Sequence, residues 1–480
     1  MDGQRIEKSN INFVFDFKTP NGFLPLGYNK YSLPINFFAS LENIYSSDYN
    51  SVTTSMSSPH TYRPQTAAYQ QKLLERGKRI HTILSSELMD EEHNNTINEN
   101  DLYVLCFESF GTQVLFEYYG DELNQLDDMI SPKMVDLLKK YENIKILFID
   151  IWEGSYEHDY RLFNNINKFL NKHQINHTNK VIVSSNNILI EELDFNKINP
   201  TEIERIRTFT NDHYINEAGK FISELRVANN EIIEDDYTYS AQSELIFSEK
   251  PKKFLMYNRN TSRMHRPYFV GRLWENNLLN DGYVSLIQND EFEEQMQKVA
   301  GEIGELDITT EQYDFLVKNY KNFYPLSIDE SDGERVAWLH NYLSRKQEYE
   351  ETFFSIVGET NGEKDYVFVT EKTMKPIMNL HPFFVMGNPN TLKYLKKLGF
   401  KTFSDFWDES YDSETNFPKR CDMIITEVKR LCGKSQSELI QMLKDMEEIL
   451  IHNKKLLHSF WTSNRAEKML LKNLKNTNII

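Results

Sequence analysis

The sequence predicts an α/β protein of two domains, each wound around a parallel sheet. Three observations carry that prediction. Apolar runs of strand length alternate with helix-like segments twice along the chain, once before and once after an acidic stretch near its middle. The run at 144–151 is nearly continuous in apolar residues, as a strand covered on both faces must be. And 480 residues exceed what a single hydrophobic core organises.

The elements follow in order. Residues 1–60 are irregular, with short apolar runs at 11–17 and 33–38 and a Ser/Thr/Pro-rich patch at 51–64, and read as an extension whose few strands wrap the first domain. The pattern at 65–89 is helical, and a polar loop follows at 90–100. A compact apolar strand is expected at 102–107. Ser131 and Pro132 then supply an N-cap and a first helical residue for 133–141. The strand at 144–151 is followed by helical spacing at Leu162, Ile166, Phe169 and Leu170, and by a strand at 180–183 ending in a polar turn. Residues 228–249 are acidic and polar and mark the linker.

The second series has strands at 253–257, 283–287, 353–357 and 382–386. Helices are expected at 267–276, 310–320, 335–349, 373–379 and 391–398, with Gly399 just past the last of them. One long helix is expected over 435–460.

Hydrophobic content of 40% and aromatic content of 13% suffice for buried cores. A formal charge of −18 works against a general binder of nucleic-acid phosphates. Three cysteines without CxxC spacing, Cys106, Cys421 and Cys432, point to reduced thiols. The first residues lack the apolar core of a secretion signal and no apolar run reaches membrane-spanning length, so a cytoplasmic location is expected. Histidines at metal-ligand spacing, Asp-x-Asp, HExxH, P-loop and nucleophile-elbow patterns are all missing, so no metal cofactor is expected.

The densest chemistry lies at Asp365-Tyr366-Val367-Phe368-Val369-Thr370-Glu371-Lys372, before a helix containing Pro376 and a second apolar run after His381. An acid and a base stand where a strand-like run enters a helix. Helix starts of this kind bind anions. Thr370 is placed to cap the helix, Lys372 to meet phosphate, and Glu371 to accept hydrogen bonds from ribose hydroxyls. Upstream, Asn258-Arg259-Asn260-Thr261-Ser262-Arg263-Met264-His265-Arg266-Pro267 puts three arginines between a strand and a helix, a local anion site in an acidic protein.

The region from Phe354 to Pro376, with 381–387, resembles the donor-binding region of α1,3-fucosyltransferases. Gly358-Glu359-Thr360 stands for the family's turn, and Asp365-Tyr366 with Thr370-Glu371-Lys372 for its Asp-Tyr-Val-Thr-Glu-Lys segment. Here, however, three residues separate Tyr366 from Thr370 instead of one. Related Thr-Glu-Lys segments occur in exostosin-like transferases, and 401–412 is similar to uncharacterised viral and bacterial glycosyltransferases. The resemblance covers roughly 252–412.

It implies two Rossmann-like domains facing a cleft, the layout called GT-B. The expected division is an extension at 1–60, an acceptor domain at 61–248, a nucleotide-sugar domain at 249–434 and helices at 435–480 packing back on the domains. It further implies an inverting, metal-independent transfer from a GDP- or UDP-linked sugar to a glycan, lipid-linked or other hydroxyl acceptor, in the cytoplasm of a bacterial or virus-infected cell. Carried over by position, Lys372 binds the donor phosphate, Glu371 the ribose, and Arg259 or Arg263 steadies the leaving diphosphate. Glu359 then lies against the sugar or the anomeric leaving side, and Tyr366 and Thr370 complete the donor set.

The catalytic base is expected to be a carboxylate at the carboxyl edge of the first domain's sheet. Glu153, followed by Gly154, is preferred over Glu108 and Asp150, with Glu157 and His158 nearby. A transferase acting on a modified DNA base, and a non-catalytic nucleotide- or carbohydrate-binding protein, are the alternatives. The aromatic run at 400–411 fits core packing better than sugar stacking.

Overall fold

The computed structural model describes residues 11–15, 17–19, 22–24, 80–84, 97–108, 130–150, 156–185, 205–210, 215, 247–258, 263–287, 306–328, 346–362 and 366–463, together with 465, 469 and 472–474. The chain divides into two compact units, residues 1–213 with 464–480, and residues 214–463.

The first unit contains strands β1 (Ile11–Phe15), β2 (Phe17–Thr19), β3 (Gly22–Leu24), β4 (Ile80–Leu84), β5 (Leu102–Glu108), β6 (Ile144–Asp150), β7 (Val181–Ser185) and β8 (Ile206–Thr210). Its helices are α1 (Pro132–Lys140) and α2 (Tyr156–Lys172). Six strands form a sheet of order β4-β1-β5-β6-β7-β8, every neighbouring pair parallel, while β2 and β3 form a separate antiparallel pair. The register runs Tyr103↔Ile144 between β5 and β6 and Ile146↔Val181 between β6 and β7. Ser131 Oγ accepts from the Met134 amide at 3.3 Å to cap α1, and Met134, Leu137 and Leu138 are buried. Phe163, Ile166, Phe169 and Leu170 of α2 join the same core with Val14, Leu105, Ile146 and Phe148.

The structure corrects three expectations here. The apolar run at 11–17 is no added wrapping: β1 lies inside the sheet, paired on both sides. The helical pattern at 65–89 contains a strand, β4, where Ile80, Thr82 and Ile83 supply β-branched side chains. Strand β8 was not anticipated. It closes one edge of the sheet with only Phe209 buried, so it lacks the apolar signature of an interior strand.

The second unit contains β9 (Phe254–Met256), β10 (Gly282–Val284), β11 (Phe354–Gly358) and β12 (Phe383–Met386) in a sheet of order β10-β9-β11-β12, again all parallel. Its helices are α3 (His265–Glu275), α4 (Thr310–Asn319), α5 (Lys346–Glu350), α6 (Glu371–Met378), α7 (Thr391–Leu398), α8 (Phe417–Cys432), α9 (Gln436–Asp445) and α10 (Glu447–Thr462). Every residue of β9, β11 and β12 is buried, which explains why their side chains are apolar apart from Ser355 in β11. Gly399 ends α7 at φ 100°, a conformation that favours glycine.

The aromatic run at 400–411 is core. Trp407 stacks on Phe384 at 4.5 Å, Phe403 meets Phe383 at 5.4 Å, and the Tyr411 hydroxyl accepts from the Val385 amide. The acids of that segment hold the fold together. Both carboxylate oxygens of Asp412 accept from the first amides of α7, Leu392 at 2.8 Å and Lys393 at 2.9 Å. They replace the cap that Asn390, at φ 66°, does not provide.

The expected single tail helix is two helices that part at Met446, the first opened by a capping box between Ser435 and Glu438. Helix α10 packs on α6, so residues to 463 belong to the second unit. Helix α8, which sequence reading passed over, is capped by Asn416 and buries Phe417, Cys421, Ile424, Val428 and Leu431. Cys421 and Cys432 are free thiols. Among the described residues, no helix is long and apolar enough to cross a membrane.

Candidate functional site

In each unit's parallel sheet the strand that comes first in sequence has that sheet's second strand on one side and its third on the other, so the winding reverses between two neighbours. Open parallel sheets bind ligands outside the carboxyl ends of such a pair, where the connecting loops diverge to opposite faces. In the second unit the pair is β9 and β11. The chain leaves β9 for the start of α3, and leaves β11 for the turn at 359–362 and then the start of α6. Two helix N-termini therefore open at one sheet edge, each presenting amides without intrahelical partners.

The Glu359 carboxylate organises that edge. It is fully buried, and both oxygens are used twice. One accepts from the Thr370 amide at 3.1 Å and the Thr373 hydroxyl at 2.5 Å. The other accepts from the Thr360 amide at 3.1 Å and the Thr370 hydroxyl at 2.6 Å. A carboxylate offers about four acceptor positions, so none is left for a ligand. Glu359, expected against the sugar, instead ties the turn after β11 to the start of α6. A Cβ on Gly387 would come within 2.8 Å of the Glu359 Cβ, which is why glycine follows β12 there.

From the far side, α3 grips the same turn. His265 Nε2 lies 2.8 Å from the Glu359 carbonyl, and Arg266 donates to that carbonyl through Nη2 at 3.0 Å. Burial and the charge of Arg266 hold His265 well below the ordinary histidine pKa, so it is neutral and donates through Nε2. Arg420 of α8, 1% exposed, donates to the Gly362 carbonyl and the Glu414 carbonyl, both at 2.6 Å. The turn thus rests on three buried basic side chains.

Above it sits Lys372. Its ammonium donates to the Thr360 hydroxyl at 3.0 Å, the Glu371 carboxylate at 3.1 Å and the Thr370 hydroxyl at 3.3 Å. The Thr370 hydroxyl also accepts from the Lys372 amide and so caps α6. The Glu371 carboxyl is almost fully buried, which disfavours its charge. Lys372 and Lys375 outweigh that, and its pKa is held below the usual value. The three donors of Lys372 are thus engaged within the protein, while a quarter of its side chain stays exposed at the start of α6.

The structure brings Glu359, Thr370, Glu371 and Lys372 together through these hydrogen bonds. Tyr366 is buried in the extended segment 366–370, which is no strand although its apolar run reads as one. Arg263 lies half-buried just before α3, close enough for its charge to bear on His265. Arg259 is outside the described residues. So is Glu153, with Glu157 and His158 described for backbone alone. The backbones of Glu108 and Asp150 end β5 and β6, and their side chains are outside the described part. Strand β5 borders the first unit's reversal point, between β1 and β5.

Sequence reading gave no role to Thr360, Thr373, His265 or Arg420. The first three stand in or beside the motifs it singled out, whereas Arg420 lies in a helix it passed over, 58 residues from its partner Gly362. Among the described residues, no group of three or more His, Cys, Asp or Glu is gathered that could hold a metal ion.

No known family profile matches the chain, and no curated protein does. Solved structures similar to it include the N-terminal domain of Candida albicans trehalose-6-phosphate phosphatase, at 10% identity and TM-score 0.38, covering 98% of each chain. Two others are UDP-forming α,α-trehalose-phosphate synthases. That from Burkholderia xenovorans has 11% identity and TM-score 0.37, covering 98% of this chain and 99% of that one. That from Burkholderia vietnamiensis has 9% identity and TM-score 0.36, covering 80% and 76%. At such scores the likeness carries no argument about chemistry.

Proposed function

We propose that this chain is a glycosyltransferase that moves a sugar from a nucleoside-diphosphate sugar to an acceptor hydroxyl. The observation that carries the reading is Lys372. Its ammonium is held by Thr360, Thr370 and Glu371 at the start of α6, beside the point where the second sheet reverses. A tethered cation at a helix start suits a diphosphate, and the resemblance to fucosyltransferase-like donor regions points the same way.

In the proposed reaction the acceptor oxygen attacks the anomeric carbon from the face opposite the diphosphate. The bond to the diphosphate oxygen breaks and its electron pair leaves with the nucleoside diphosphate. The acceptor proton passes to a carboxylate. Glu153, Glu108 and Asp150 are the candidates, and the backbone of Glu108 ends β5 at the reversal point of its sheet. Lys372, with Arg263 and Arg259, offsets the charge that grows on the leaving group, and no metal is invoked.

The test is thermal unfolding with GDP, UDP, CMP and their sugars. A ligand that binds only the folded state raises the melting temperature. Lys372→Ala should abolish the shift. If no nucleotide or nucleotide sugar stabilises the wild-type protein, the reading is wrong.

A further inference from the structure

Asn258 follows β9 at the reversal point of the second sheet, and its side chain is 1% exposed. Its backbone is bonded: the amide donates to Ser285 Oγ at 2.9 Å and the carbonyl accepts from Ile287 at 3.4 Å. Its carboxamide is not. Neither Oδ1 nor Nδ2 has a hydrogen-bond partner. Buried polar groups in folded proteins are nearly always paired, and an orphaned one is a cost that an apolar side chain of the same size would avoid.

The position of the orphan is specific. A Cβ built on Gly358, the last residue of β11, would lie 2.5 Å from Asn258 Oδ1. The carboxamide therefore reaches across from the end of β9 to the end of β11, and Gly358 leaves the space it occupies. The residue after β11 is Glu359, whose carboxylate and carbonyl hold the Lys372 platform and α3. The carboxamide is thus a matched but unused donor and acceptor at the edge where a ligand is expected.

We propose that Asn258 determines ligand recognition at this edge, pairing with a ligand group that offers a hydrogen-bond donor and acceptor side by side. The vicinal diol of a ribose or hexose has that chemistry, and so does the amide edge of a nucleobase. This rests on the donor-site reading above and adds a division of labour to it. Lys372 answers the charge of the diphosphate, while neutral Asn258 answers its polar substituents. Cost to the fold without benefit to the apo state is the signature expected of a recognition residue.

The experiment compares wild type, Asn258→Leu and Gly358→Ala by thermal unfolding and calorimetric titration. The probes are UDP, GDP, their glucose or mannose conjugates, the 2′-deoxy nucleoside diphosphates and inorganic pyrophosphate. Asn258→Leu should fold with an unchanged or higher melting temperature. It should bind the nucleotide that wild type prefers ten- to a hundredfold more weakly, and leave pyrophosphate binding unchanged. Gly358→Ala, which displaces the carboxamide but keeps it, should show the same selective loss.

If the wild-type preference disappears with the 2′-deoxy probe, the ribose diol is the partner. If it persists there and differs between UDP and GDP, the base is. If it shows only with the conjugates, the hexose is. Equal nucleotide affinity in wild type and Asn258→Leu overturns the proposal, as does a clear fall in the melting temperature of Asn258→Leu, which would show a structural partner. If wild type itself binds no nucleotide, the donor-site reading fails first and this proposal falls with it.

Discussion

Replacing Glu359 by glutamine should be among the most damaging single-atom changes available in the second unit. Each carboxylate oxygen accepts one backbone amide and one threonine hydroxyl, at 2.5–3.1 Å. A glutamine must put an NH2 group in place of one oxygen. The threonine hydroxyl beside it can rotate, but the backbone N–H of Thr360 or Thr370 cannot. Whichever way the amide is turned, a donor faces a donor in a site with no solvent exposure. Two bonds to a charged acceptor, each contributing about 1.5–3 kcal/mol, are lost or inverted, so the expected destabilisation is about 3–6 kcal/mol. Urea unfolding at neutral pH, followed by tryptophan fluorescence and circular dichroism, measures it. Because Thr360 and Thr370 also hold the Lys372 ammonium, the variant should bind nucleoside diphosphate weakly even where it is folded. A loss below about 1 kcal/mol would refute the four-bond account and return Glu359 to the list of ligand-facing residues.

Further outcomes are expected from the same structure. Lys372→Ala leaves the buried Glu371 carboxylate without its nearest counter-charge, so it should cost the fold more than about 1 kcal/mol and also remove nucleotide-induced stabilisation; calorimetry separates the two. His381 is buried between Ser355 and Thr352, and burial lowers its pKa to about 3; His265 is lowered by burial and by Arg266. Both are neutral when folded and protonate first in the unfolded chain, so their contribution is complete above about pH 6.5 and is lost as pH falls towards 3. The slope is up to about 1.4 kcal/mol per pH unit for each, and it should flatten by that amount in His381→Gln if the reasoning holds. Asp412→Ala should uncap α7 and cost about 1–2 kcal/mol in urea unfolding. Glu108→Gln, Asp150→Asn and Glu153→Gln, assayed for sugar transfer, should include one variant with normal donor binding and turnover reduced at least a hundredfold.

Much of the second unit was legible because its signals are local. Phe254-Leu255-Met256 and Phe383-Phe384-Val385-Met386 are short apolar runs that only buried strands explain, and Thr370 and Gly399 sit where caps belong. Edge and entry strands were harder to read. Strand β4 lay inside a helix-like pattern, and β8 exposes too many side chains to show an apolar rhythm. The strand β1 was visible as an apolar run, but nothing local says that residues at the start of a chain will lie between strands 70 and 90 residues later.

The same division runs through the site. Composition and pattern determined two parallel α/β units, a capped helix start at Thr370 and a cation beside an acid at its first turn, because strand burial, capping and charge spacing act over a few residues. What the individual side chains do was decided by tertiary structure. Glu359 looked like a ligand contact and is consumed by Thr360, Thr370 and Thr373, while Arg420, in a helix the sequence reading passed over, holds the turn at Gly362. Whether a polar group is spent inside the fold or left to meet a ligand depends on how many partners packing brings within 3 Å of it, and those partners come from chain segments whose approach no local pattern encodes.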